Sequence, residues 1–140
     1  TLKNNQIELI SNIENDETIS GYKNELIQAF LNIINNAKDV LKDQHLNTKI
    51  VFLNAKKIDS NLIVEIIDNG GGVPDKIIDK IFEPYFTTKH QSQGTGIGLY
   101  MTHTIICNHH KGQIFVKNIE YTHQDKDYKG AIFTIILPSL

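Results

Sequence analysis

The chain has 140 residues, with 14 Lys plus Arg against 16 Asp plus Glu and a formal charge of −2, which suits one ordinary domain and gives no electrostatic case for nucleic acid or a membrane surface as the main partner. A single cysteine, Cys107, excludes an internal disulfide and a cysteine-rich metal site. No apolar run approaches the roughly 20 residues of a membrane span, no signal-peptide pattern opens the chain, and its first residue is Thr1, so it reads as a piece of a longer protein.

Ile7, Leu9 and then Ile19 predict short strands around an acidic turn at Glu14 to Glu17. From about Tyr22 to Lys42 the pattern becomes helical, because Leu26, Phe30, Ile33, Ile34, Ala37 and Leu41 share one face at 3.6-residue spacing. Lys49 to Ile58 and Asn61 to Asp68 are rich in Ile, Val, Leu and Phe. Asp59-Ser60 separates them, which predicts an antiparallel hairpin. Asn69 to Pro74 is a turn with three glycines, Asp75 to Phe82 a short helix, and Pro84 to Gly94 a loop. Ile97 to His110 predicts a second long helix. Gln113 to Ile119 and Ala131 to Leu137 predict strands joined by a polar loop from Glu120 to Lys129. Together these give an α+β two-layer sandwich, with a mixed sheet and helices on one face.

Three stretches carry chemistry. On the first helix Glu25, Gln28, Asn32, Asn36 and Asp39 fall within a sector of about 80° at 100° per residue, opposite the apolar stripe. A solvated face is the plain alternative. Yet the stripe is amide-rich, and another polar face already exists at Asn24, Asn35, Lys38 and Lys42. Amide oxygens are neutral hard ligands that suit Mg²⁺ alongside phosphate oxygens.

The second stretch, Asp68-Asn69-Gly70-Gly71-Gly72-Val73-Pro74, follows an apolar strand directly. A strand-end carboxylate can accept from an exocyclic amine such as that of adenine. The glycines let the backbone approach a flat ligand. Alone the motif is also an ordinary Asp-Asn-Gly turn. The third, Gly94-Thr95-Gly96-Ile97-Gly98-Leu99, opens the second helix and presents backbone N–H groups suited to phosphate, although glycines also serve hinges. Between the last two, Phe82-Glu83-Pro84-Tyr85-Phe86-Thr87-Thr88-Lys89 reads either as a surface loop pinned by aromatic packing or as a lid with Lys89 as its cation.

In this order the stretches resemble the catalytic ATP-binding domain of sensor histidine kinases, within the superfamily shared with gyrase B, Hsp90 and MutL. The N box matches at Asn32-Ile33-Ile34-Asn35-Asn36-Ala37-Lys38-Asp39 and the G1 box at Asp68 to Gly72. The F box matches at Phe82 to Lys89 and the G2 box at Gly94 to Leu99. Gly130-Ala131-Ile132-Phe133-Thr134 through Leu137-Pro138 looks like the family's last strand. The likeness runs from about Ile7 to Pro138 and implies a single domain over residues 1–140, without dimerisation, phosphoacceptor or sensor regions.

The resemblance implies ATP and Mg²⁺ as cofactors. Asn36 would coordinate the metal, and Asn32, one turn earlier, would contact phosphate or metal. Asp68 would take the adenine amine. Gly70 and Gly72 would let the G1 turn close on the nucleoside. Gly94, Gly96 and Gly98 would hold phosphates and hinge the lid, and Lys89 would reach a phosphate. Phe82 and Phe86 would anchor the lid. The implied nucleotide-binding set also takes in Asp39, Val73, Phe82, Thr95, Ile97, Leu99 and Thr134.

ATP-hydrolysing members of the superfamily place a glutamate four residues before the metal-binding asparagine, as base for water. An i, i+4 pair shares a helix face, and this chain has Asn32 there. An amide cannot take a proton from water. The implied function is therefore phosphoryl transfer from ATP to a histidine on dimerisation helices, and from there to a response regulator. A nucleotide-binding module without transfer and an anti-sigma-type serine kinase are the alternatives. The last strand has Ala131 where the family often has Thr. None of His45, His90, His103, His109, His110 and His123 precedes an acidic residue, so the phosphoacceptor would lie outside this chain. His109-His110 would cap or cover a helix end, and Cys107 would fill the core. The isolated domain is expected to be monomeric, its parent a homodimer, and the location cytoplasmic with a membrane-anchored parent left open.

Overall fold

The spacing of Leu26, Ile33, Ala37 and Leu41 is realised in helix α1 (Lys23–Lys42), whose buried residues are these four and Ala29. The computed structural model describes residues 6–13, 21–42, 44–87 and 96–138. Strand β1 (Glu8–Ile13) precedes α1 and contains Leu9, with Ile7 buried just before it. Ile19 and the turn at Glu14 to Glu17 lie outside the described residues.

β2 (Ile50–Ile58) and β3 (Asn61–Asp68) pair antiparallel from Ile58↔Asn61 to Val51↔Asp68, as the hairpin pattern predicts. β1 runs parallel to β2. β4 (Gln113–His123) and β5 (Lys126–Pro138) complete a five-stranded sheet in the order β1-β2-β3-β5-β4.

The polar loop expected from Glu120 to Lys129 is instead paired strand. Tyr121 faces Tyr128 with ring centroids 5.8 Å apart, and the Thr122 hydroxyl donates to Asp127 Oδ1 at 2.7 Å. The connection is only Gln124-Asp125, both left-handed at φ 50° and 63°, the geometry of a tight hairpin turn. Asp75 to Phe82 holds a single 3₁₀ turn, Ile78–Lys80, rather than an α-helix. The Lys80 N–H donates to Ile77 O, and the Pro74 carbonyl receives both Ile77 and Ile78, so bonding one residue short dominates there.

The second helix begins as α2 (Gly98–His103) and continues over Thr104–His109 in π-helical winding. α1 and this run cover one sheet face, where Val51, Val64, Ile66, Phe133, Ile135 and Leu137 meet Ala29, Ile33, Ile105 and Ile106. Ile33 is fully buried. Its truncation to Ala would cost about 2–5 kcal/mol. The result is the expected α+β two-layer arrangement. Among the described residues no helix is long and apolar enough to cross a membrane.

Candidate functional site

Asp68 closes β3 on the helix-bearing face and is only 4% exposed. Its Oδ1 accepts from Gly70 N–H at 2.8 Å and from Ala131 N–H at 3.3 Å. Both bonds end on one oxygen, which leaves Oδ2 for a donor outside the described chain. Burial pushes the carboxyl above the usual aspartate value of 3.8, against the opposing pull of those two N–H groups. Gly130 makes this corner possible, since a Cβ there would overlap the Asp68 carbonyl. The same carbonyl accepts the Tyr121 hydroxyl at 3.0 Å.

The turn after Asp68 is pinned along its length. Asn69 is buried; its Oδ1 accepts from Ile50 N–H at 2.9 Å and its Nδ2 donates to Thr48 O at 2.8 Å. Gln44, just past α1, donates to Gly70 O at 2.6 Å. Gly71 N–H donates to Lys129 O at 2.9 Å. Asn118 of β4 grips Val73 through both amide atoms. Gly71 and Gly72 take φ of +92° and +94°, where a side chain would strain the backbone. The sequence patterns singled out none of Gln44, Asn69, Asn118 and Tyr121 as site residues. Each is a polar residue in a strand, turn or helix exit whose partner appears only once the sheet is assembled.

The polar stripe of α1 splits into two parts. The helical run starting at Gly98 lies antiparallel to α1, and three contacts fix it. Asn32 Nδ2 donates to Gly98 O at 3.0 Å, the Thr102 hydroxyl reaches Ala29 O at 3.3 Å, and His109 Nδ1 sits 2.8 Å from Glu25 Oε1. Gln28 donates to Asn32 Oδ1 at 2.8 Å, so both ends of the Asn32 amide are engaged by the protein. Asn32 therefore braces the two helices against each other.

Asn36, one turn further along and past the start of the second helix, is half-buried. It makes no side-chain hydrogen bond among the described residues. Its amide oxygen is the donor in the stripe that fits a divalent cation. Asp39, the last member of the stripe, lies 3.9 Å from Lys38 Nζ. His110 caps as expected. Its Nε2 accepts from Tyr22 N–H at 2.9 Å, and its Nδ1 meets Ile105 O at 2.8 Å.

Phe82 packs with its ring 5.6 Å from His103 and edge-on to Phe133 at 6.2 Å. Phe86 is half-buried against the same core. Tyr85 N–H donates to Gly96 O at 2.9 Å, which ties the end of the Phe82 stretch to the residues that open the second helix. Gly96 has φ +74°, and a Cβ there would clash with the Tyr85 and Phe86 backbone. Ile97, Gly98 and Leu99 follow at the helix start, which has no side-chain cap. Thr88, Lys89, Gly94 and Thr95 lie outside the described residues.

Thr134 is not brought to this face. It pairs with Glu65, and strand alternation turns it to the side of the sheet away from Asp68 and Phe133. The last strand presents its odd-numbered positions from Ala131 to Leu137 to the helices.

Residues 21–140 match the family described as histidine kinase-, DNA gyrase B- and HSP90-like ATPase. The chain belongs to this family. It is 36% identical over 120 residues to sporulation kinase A of Bacillus subtilis (strain 168), covering 86% of this chain and 18% of that protein. It is 36% identical over 134 residues to the signal transduction histidine-protein kinase AtoS of Escherichia coli (strain K12), covering 95% of this chain and 20% of AtoS. The chain thus spans about a fifth of the curated relatives it matches. Its fold superposes on the catalytic domain of histidine kinase ThkA with a TM-score of 0.77 at 22% identity, covering 99% of this chain and 82% of that one. ThkA has also been solved in complex with the response regulator protein TrrA; that match has a TM-score of 0.73 at 18% identity and covers 99% of this chain and 36% of that one. The family's N, G1 and G2 boxes coincide here with α1, the turn after β3 and the start of α2.

Proposed function

We propose that this chain is the catalytic ATP-binding domain of a sensor histidine kinase, one domain over residues 1–140, working in the cytoplasm. Its parent would transfer the γ-phosphoryl group of ATP to a histidine on dimerisation helices, for onward passage to a response regulator. The observation that carries the reading is the Asn32 amide, tied to Gly98 O and Gln28 at the place where a hydrolytic relative would hold a base. No group at that position can activate water, so ATP bound here awaits a nucleophile from elsewhere. The relatives' names as histidine kinases support the same reading.

In this scheme Asp68 Oδ2 accepts the adenine amine, and the pinned turn from Gly70 to Val73 flanks the nucleoside. Asn36 would hold Mg²⁺, which neutralises charge on the phosphate oxygens when bound. The backbone N–H groups from Gly96 onward face the phosphates, and Lys89 would add a cation. Transfer then rests on positioning and exclusion of water.

Calorimetric titration of Mg-ATP into the domain tests binding. Mixing the domain with the separately made dimerisation region of its parent and labelled ATP tests transfer. Label on a histidine is the expected result. Steady release of phosphate without that region would overturn the kinase reading.

A further inference from the structure

Asn118 stands in register with Ala131 of β5, whose N–H group holds the Asp68 carboxylate. Strand alternation puts it on the helix-bearing face, in the same row as Asp68. From there its side chain reaches across to the turn after β3. Oδ1 accepts from Val73 N–H at 2.7 Å, and Nδ2 donates to Val73 O at 2.8 Å. A primary amide carries a donor and an acceptor side by side, so it can pair with one residue's backbone as a neighbouring strand would.

Gly72 is shaped to this contact. A Cβ on it would stand 2.6 Å from Asn118 Oδ1, and its φ of +94° already excludes most side chains. The first half of the turn is held by other groups: Gly70 by Asp68 and Gln44, Gly71 by Lys129 O. For the second half, Asn118 supplies the side-chain hydrogen bonds made to Val73 among the described residues.

We infer that Asn118 is a positioning residue for nucleotide binding: by gripping both polar groups of Val73 it keeps the Gly72–Val73 half of the turn in its receiving shape. This rests on the reading of the face around Asp68 as the nucleotide site. Two successive glycines with positive φ have wide freedom once released, and binding would then have to order them. A role confined to holding the fold together would lower the melting temperature and leave affinity of the folded domain unchanged.

The experiment titrates Mg-ADP into the wild-type domain, Asn118→Ala and Asn118→Asp, well below their melting temperatures, at neutral pH and at about pH 4. Asn118→Asp keeps the acceptor for Val73 N–H but opposes a carboxylate to Val73 O. Its carboxyl regains a donor when protonated. Both variants are expected to bind about tenfold more weakly at neutral pH, the loss of one to two hydrogen bonds. At about pH 4, where an ordinary aspartate is about half protonated, the deficit of Asn118→Asp relative to wild type shrinks, while that of Asn118→Ala persists. Comparison with wild type at each pH removes the titration of Asp68 itself. Should Asn118→Ala fail to fold, Asn118→Asp has the native size and carries the comparison.

Wild type that binds while both variants match it within twofold overturns this inference alone. Wild type that does not bind at all overturns the nucleotide-site reading and the inference with it.

Discussion

Gly130 packs so closely on Asp68 that the smallest side chain would collide with the Asp68 carbonyl. The clash is with backbone on both sides, so no flexible group can yield. Gly130→Ala is expected to destabilise the domain by about 2–3 kcal/mol, the upper range for overpacking. Urea unfolding of the two proteins measures it, and a loss below about 0.5 kcal/mol would show that the strand ends can part without cost.

Asp68→Asn separates binding from folding. The amide oxygen can keep the bonds from Gly70 and Ala131, so stability should stay within about 1 kcal/mol of wild type. An amide presents only one acceptor, and the free oxygen that would receive the adenine amine is replaced by a donor. Affinity for Mg-ATP is expected to fall about 10- to 150-fold, corresponding to one charge-assisted hydrogen bond of about 1.5–3 kcal/mol. Calorimetry beside a melting curve reads both quantities. Equal affinities would remove Asp68 from the site.

The raised pKa of Asp68 sends stability and binding in opposite directions with pH. Its folded value lies above its unfolded one, so the folded state takes up the proton more readily. The stability contributed by this group is complete below the unfolded value of 3.8 and declines as pH rises toward the folded value. If Asp68 accepts the adenine amine as proposed, the ionised form is the better acceptor, and affinity is expected to fall as pH drops through the folded value. Titrations of wild type and Asp68→Asn from neutral pH to about pH 4 give the comparison. Parallel affinity profiles for the two proteins would contradict it.

Asn69→Ala removes two side-chain bonds and leaves the buried Ile50 N–H without its partner. A loss of about 2–4 kcal/mol is expected. Because Asn69 holds the entry to β2 and not the ligand, the folded remainder should still bind nucleotide. Chemical unfolding and a titration at low temperature distinguish the two effects.

The sequence resolves α1 and the β2–β3 hairpin well because each buries one face and repeats at the period of its element. Asp68 stands out in the sequence for a different reason: a carboxylate closes an apolar strand immediately before a run of glycines. The outer half of β4–β5 was not legible. Thr122 and Asp127 are exposed and polar, and the Gln124-Asp125 turn contains no glycine to mark it. For Thr134 a motif gives a position along the strand, and only the register decides the face. Asn32 fitted the stripe by angle, yet its amide meets the second helix, whose placement helical periodicity does not give. Asn69 and Gln44 looked like turn and helix-exit residues and proved to be the loop's fastenings.

The bond from Tyr85 N–H to Gly96 O has a consequence for how freely this protein can change. A segment whose ends are already tied meets most of its closure cost at the tie. Doubling the length of such a segment adds only about 0.6 kcal/mol. Lengthening the chain between Tyr85 and Gly96 is therefore expected to leave the melting temperature of the sheet nearly unchanged, and any loss of nucleotide affinity would report on the phosphate contacts proposed for Lys89.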